Sequence, residues 1–189
     1  MGYRLNGQDI IKGLPKKRTK KPTEGELVNR KKFAQMQAWL QPLLPLLKIG
    51  FKGYAPTFQG FVVAKSYNSK HAFVNHEDGT TSIDPALALV SFGSLALPKT
   101  MNMELANRDI VITWSTEGDR ALDLAMILAY VVETGETEID LAAGKRKDGK
   151  AVLKLPSDFE GGDVHVYIAF VGYDHNESSN SYYLGSVNV

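Results

Sequence analysis

The chain has 189 residues, 43% of them hydrophobic and 23% charged, and no cysteine. This composition excludes a disulfide framework and thiolate metal sites, and a chain of this size hides roughly 70% of its unfolded surface, enough for a core without staples. The net charge of +1 conceals a division: residues 1–54 carry twelve lysines and arginines against three acids, a net of +9, while the remainder carries ten against eighteen, a net of −8. Such a split points to a polyanionic partner or to a partner made of the other half of a second copy.

Residues 1–22 read as a basic arm, dotted with Gly2, Gly7 and Gly13 and closing on Lys16-Lys17-Arg18-Thr19-Lys20-Lys21. The arm has no apolar h-region of a secretory signal. Its Met-Gly start is not a myristoylation signal, because Asn6 stands where Ser or Thr is needed. A protein cytoplasmic as synthesised is expected, with incorporation into a larger assembly open to it. Ile10 and Ile11 make a short apolar patch able to add as a strand to another surface. The most apolar run, Leu43 to Phe51, is interrupted by Pro45 and is far short of the ~20 residues that span a bilayer.

Residues 23–78 read as helical. Thr23 and Glu26 have the spacing of a capping box, and helix is expected from there to Pro42, whose ring lacks the amide hydrogen that would continue it. Leu27, Ala34 and Ala38 share one face, Phe33 and Leu40 a second, and Val28 and Trp39 lie elsewhere, so the helix beyond Lys32 is apolar on several sides. A helix of that kind is expected to be surrounded by protein, either its own core or another copy. Phe33, Met36, Trp39 and Leu40 are therefore candidate assembly residues. Lys16, Lys17, Arg18, Lys20, Lys21, Arg30, Lys31 and Lys32 are candidate contacts to a polyanion or an acidic partner. Pro42 and Pro45 restart the chain as short turns with Gly50 as a stop, and Pro56 to Ser69 reads as a further helix.

Residues 79–189 read as an antiparallel β-sandwich. Leu87–Phe92 is expected to be extended and 98–107 a loop, followed by strands at Asp109–Ser115, Leu122–Val132, Glu136–Ala142, Ala151–Leu155, Val164–Val171 and Tyr182–Val187. In Val164–Val171 the residues Val164, Val166, Ile168 and Phe170 share one face and His165, Tyr167 and Ala169 the other. Short strands between Gly-bearing turns, with Trp114 early and tyrosines late, fit an immunoglobulin- or fibronectin-III-like sandwich without its disulfide. The expected fold class is thus α+β: a basic N-terminal arm and helices, then the sandwich.

The residues do not spell out a chemistry. His71 and His76, beside Glu77 and Asp78, come nearest to a metal constellation but lack zinc spacing, and the loop of Asp174, Asn176 and Glu177 lacks the calcium ladder. Gly93-Ser94 is not a nucleophile elbow, and Gly144-Lys145-Arg146-Lys147 is not a phosphate loop. No catalytic residue, metal, cofactor or small-molecule substrate is expected. Two functions compete: a structural protein, such as a virion or appendage subunit, that self-associates through arm and helix against an acidic sandwich; or a nucleic-acid or other polyanion binder using the same basic third.

Several segments together resemble a family of Bacteroidota proteins known only as a domain of unknown function. They are Lys20-Lys21-Pro22-Thr23, Arg30-Lys31-Lys32-Phe33-Ala34, Ile49-Gly50-Phe51-Lys52, Ser66-Tyr67-Asn68, Val90-Ser91-Phe92-Gly93-Ser94-Leu95, Val166-Tyr167-Ile168-Ala169-Phe170 and Tyr183-Leu184-Gly185-Ser186. The resemblance covers nearly the whole chain and brings no catalytic residues with it. Family members open with a Gly-rich, hairpin-like leader and a Trp-Lys-Gly step; here Met1 to Gly13 is shorter and has no Trp.

Overall fold

The computed structural model describes residues 2–5, 7–14, 17, 19–54, 59–159 and 162–189. The fold is mixed α+β, with antiparallel sheets, none of them closed. At the N-terminus β1 (Gly2–Leu5) and β2 (Gln8–Ile11) form a hairpin. The Ile10–Ile11 patch therefore pairs with the chain's own first residues. Three helices follow: α1 (Glu24–Leu40), α2 (Leu44–Gly50), reached through a 3-10 turn at Gln41–Leu43, and α3 (Gly60–His71).

Local chemistry sets the limits of these helices. The Thr23 side chain accepts from the Glu26 amide, and the Glu26 carboxylate accepts from the Thr23 amide at 2.8 Å, closing the capping box. Pro42 and Pro45 sit in the first turn of the two segments they start, where a missing N–H costs nothing. α3 starts later than expected, at Gly60, and runs on to His71. The first part of the expected helix, residues 56–58, lies outside the described residues. A small hairpin, β3 (Phe73–Asn75) and β4 (Thr81–Ile83), then turns around Asp78-Gly79.

Seven strands complete the chain: β5 (Met101–Ala106), β6 (Asp109–Trp114), β7 (Leu124–Val131), β8 (Glu136–Lys145), β9 (Lys150–Lys154), β10 (Asp163–Val171) and β11 (Tyr182–Asn188). They form a three-stranded sheet in the order β5-β6-β9 and a four-stranded sheet in the order β11-β10-β7-β8. Three expectations change here. The segment 98–107 is not a loop, because Met101, Met103 and Leu105 alternate with polar residues and β5 pairs along the whole of β6. The extended segment expected at Leu87–Phe92 starts after Leu87, which closes a 3-10 turn at Pro85–Leu87, and it joins no named strand: the amides of Leu89 and Val90 go to side chains and that of Phe92 to the Gly50 carbonyl. β8 extends past Ala142 to Lys145, across a bulge opposite Ala125–Ile127.

The layers are helix, four-stranded sheet, three-stranded sheet. Between the sheets, Ile110, Ile112 and Trp114 of β6 meet Ala125, Ile127, Ala129 and Val131 of β7 and the row Val164, Val166, Ile168 and Phe170 of β10. The opposite faces of β7 and β10 (Met126, Leu128, Tyr130, Tyr167, Ala169 and Val171) pack on Met36, Leu40, Leu43, Leu46, Leu47 and Phe51 of the helices. Every described side chain of β7 after Leu124 is buried. Two-sided burial explains why Leu122–Val132 shows only loose alternation in sequence.

Helices and sheet are further joined by a buried polar knot. The Ser178 hydroxyl donates to the carbonyls of Gly50 and Phe92, each at 3.0 Å, and the Ser91 hydroxyl to the Ser179 carbonyl at 2.7 Å. The Val90 amide donates to the Ser181 hydroxyl, and the Phe92 amide to the Gly50 carbonyl. Asn68 grips Leu89 from α3, its carbonyl oxygen accepting from the Leu89 amide and its amide donating to the Leu89 carbonyl. A Cβ on Gly93 would overlap the Ser178 carbonyl. Overpacking of this kind costs about 1–3 kcal/mol. Gly93→Ala is therefore expected to lower the urea midpoint by the equivalent of about 2 kcal/mol. Gly13→Ala, where an added Cβ meets nothing within 4 Å, should leave the midpoint unchanged.

Candidate interaction surfaces

The first surface is the arm. Every described side chain of the β1–β2 hairpin is exposed except Ile10, which is half-buried, and beyond it Ile11 and Leu14 are 90% and 84% exposed. A two-stranded hairpin standing alone is marginal in water, so an element of this kind gains from being covered. Among the candidate cations, Lys17, Lys20 and Lys21 are exposed, while Lys16 and Arg18 lie outside the described residues.

The second surface is α1. Met36, Trp39 and Leu40 are buried in the chain's own core. Of the two settings expected for this helix, these three residues take the chain's own core. The stripe of Met36, Trp39 and Leu40 packs in the core between helices and sheet, whereas Leu27, Val28 and Phe33 are exposed. Phe33 is 57% exposed, with the Lys65 ammonium 3.9 Å from its ring centroid. Arg30 and Lys31 are exposed; Lys32 is half-buried with its Nζ 5.6 Å from the Phe73 ring centroid.

The third surface is a cavity of about 860 Å³ between the end of α1, β4 and the β7–β8 turn, lined by Trp39, Pro42, Ile83, Tyr130 and Val132 with Glu133 beside them. The Tyr130 hydroxyl donates to the Trp39 carbonyl at 3.0 Å, and burial, with the Glu133 charge nearby, pushes its pKa up to about 12. Among the described residues two buried polar atoms here have no hydrogen-bond partner, Gln35 Oε1 and Trp39 Nε1. From the turn, β8 carries Glu136, Glu138 and Asp140 at every second position, so the three carboxylates share one side of an edge strand. The spacing was present in the sequence, but only the pairing of β8 with β7 alone makes it an edge.

The remaining polar clusters are architectural. Arg146, 6% exposed, donates through Nη2 to the Ala96 carbonyl at 2.7 Å and lies 3.7 Å from Asp123, with its guanidinium 5.1 Å from the Phe170 ring centroid. Burial pulls its pKa down, opposed by the Asp123 charge. Arg120 bridges Asp123 at 3.1 Å and Glu177 at 2.7 Å, a link between two loops that sequence reading missed because the partners are remote in the chain. His76 Nε2 lies 2.8 Å from the Ser82 hydroxyl, and the His71 ring lies 4.5 Å from that of Tyr67. Among the described residues no group of three His, Cys, Asp or Glu is placed to hold a metal ion, and no helix is long and apolar enough to cross a membrane.

A family model described as a family of unknown function (DUF6266) matches residues 1–185. No curated protein matches the chain, and no solved structure does. Three of the segments that carry the family resemblance meet at the polar knot, through Gly50, Asn68 and Val90–Phe92.

Two measurements test these assignments. Met36→Ala removes a fully buried side chain and is expected to cost about 2–5 kcal/mol in chemical unfolding. Phe33→Ala, losing an exposed ring and one cation–π contact, should cost no more than about 1 kcal/mol. His165 Nδ1 lies 2.9 Å from the Tyr183 hydroxyl, and burial holds the His165 pKa below its ordinary value. The unfolded chain then binds the proton first, so this contribution to stability is full above about pH 6.5 and shrinks as the pH falls below it. His165→Gln should flatten the stability profile between about pH 6.5 and 5 relative to the parent.

Proposed function

The chain belongs to the family of unknown function DUF6266, and from that premise we propose that it is a non-enzymatic structural protein that self-associates head to tail. The basic arm of one copy lies against the acidic side of the four-stranded sheet of the next. The observation that carries this reading is the exposed hairpin, whose last residue Ile11 and the following Leu14 are 90% and 84% exposed, more than any other large apolar side chain among the described residues. The division of charge into +9 and −8 halves supplies the complement. The receiving surface is the Glu138 and Asp140 side of the edge strand β8.

Contact between unlike patches generates rings when the rotation closes and filaments when it does not, which suits a virion or appendage subunit. The strand order supports a fibronectin-III-like sandwich as the body of that subunit. β5-β6-β9 corresponds to strands A-B-E of such a domain, and β11-β10-β7-β8 to G-F-C-C′. The helices cover the outer face of the second sheet.

Burying an Ile or Leu is worth about 1.5–3 kcal/mol. The double variant Ile11→Asp, Leu14→Asp is therefore expected to weaken association at least about 100-fold. Light scattering after gel filtration should show an oligomer that dissociates with this variant and with rising salt. A strict monomer at high protein concentration and low salt overturns the reading.

A further inference from the structure

Residues 27–76 contain no aspartate or glutamate, yet they hold Arg30, Lys31, Lys32, Lys48, Lys52, Lys65 and Lys70. This acid-free stretch is the whole helical layer beyond the first turn of α1, together with β3. α1 packs on α3, which brings Lys32 and Phe33 of one helix beside Phe61 and Lys65 of the other and Phe73 of β3. Lys65 Nζ stands 3.9 Å from the Phe33 centroid and 5.7 Å from that of Phe61. Among the described residues neither Lys32 nor Lys65 has a carboxylate partner; their neighbours are rings and the Gln37 amide oxygen, which accepts from Lys65 at 2.9 Å. Arg30 and Lys31 of α1 and Val62 and Lys70 of α3 are exposed on the same two helices.

We propose that this α1–α3 face binds single-stranded nucleic acid, independently of the self-association argued above. Arg30, Lys32, Lys65 and Lys70 would take backbone phosphates, and a base would stack on the open face of Phe33. Cations alone would suit any polyanion or the acidic edge of another copy. Phenyl rings interleaved with those cations add what an unpaired base uses and an acidic strand does not, stacking worth about 1–3 kcal/mol per base. A bilayer surface fits less well, because Arg30 and Lys31 stand three and four residues after Leu27, and Lys31 and Lys32 after Val28, which leaves no continuous apolar face.

The test is fluorescence anisotropy of the full chain with a labelled 20-nucleotide oligothymidine at several salt concentrations. Binding is expected to weaken with salt with a log–log slope of about −3, four phosphates at about −0.7 each. Phe33→Ala should weaken binding about 5-fold to 150-fold, Phe33→Trp should retain it, and Lys32→Glu with Lys65→Glu should abolish it. Light scattering of Phe33→Ala in the same buffer should match the parent, which separates this face from the self-association surface. No binding at low salt overturns the proposal. So does binding indifferent to Phe33→Ala, which would place it on the arm, or binding to phosphatidylserine vesicles in preference to the oligonucleotide.

Discussion

β7 and β10 lie side by side in the middle of one sheet, and neither has a free face. Ala125, Ile127, Val164, Val166, Ile168 and Phe170 are sealed by the three-stranded sheet; Met126, Leu128, Tyr130, Tyr167 and Val171 are sealed by the helices. At about 1.5–3 kcal/mol for each large apolar side chain removed from water, these two strands hold a large share of the folding free energy. A sheet with only one covered face would expose half of that. The helical layer is thus a condition of the fold rather than an appendage to it. It also commits one stripe of α1 to the sheet, which leaves Leu27, Val28 and Phe33 on the outside.

The polar knot locks that layer in place where apolar contact alone would let it slide. Ser91, Ser178, Ser179 and Ser181 are buried, and their hydroxyls or backbone groups satisfy Gly50, Val90, Phe92 and one another. In a buried setting an unmade hydrogen bond costs about 1–3 kcal/mol, so each group enforces the position of its partner. Close approach is part of the same device, since Gly50 and Gly93 leave no room for a Cβ against Ser91 and Ser178. The residues Gly50, Asn68 and Val90–Phe92 thus serve packing and hydrogen bonding within the chain.

Local features were legible from residue order. The Thr23–Glu26 box, the two proline restarts, the Asp78-Gly79 turn and the alternation of Val164–Phe170 each depend on neighbours within a few positions. The loose pattern of β7 was equally readable as a strand, but its two-sided burial was not, because periodicity reports how many faces are wet and not what covers them. β5 is not legible as a strand from its own residues, because Met, Glu and Leu carry little strand preference and only the ladder to β6 decides them. Met36, Trp39 and Leu40 could not be told from surface candidates, since an apolar residue on a helix looks alike whether its partner is in the same chain or another.

Composition and short-range spacing were enough to establish the charge division, the absence of acids through residues 27–76, the helix limits and the β-rich second half. These are sums over residue types or contacts within one turn, and no folding is needed to read them. Which cations share a face with which rings, which strand of the sheet stays an edge, and which stripe of α1 is spent on the core came from the packing of segments far apart in the chain. The reason is geometric: a side chain's direction is set by its own backbone, but its surroundings are set by whatever docks against that backbone. Lys65 meets Phe33 only because α3 returns alongside α1.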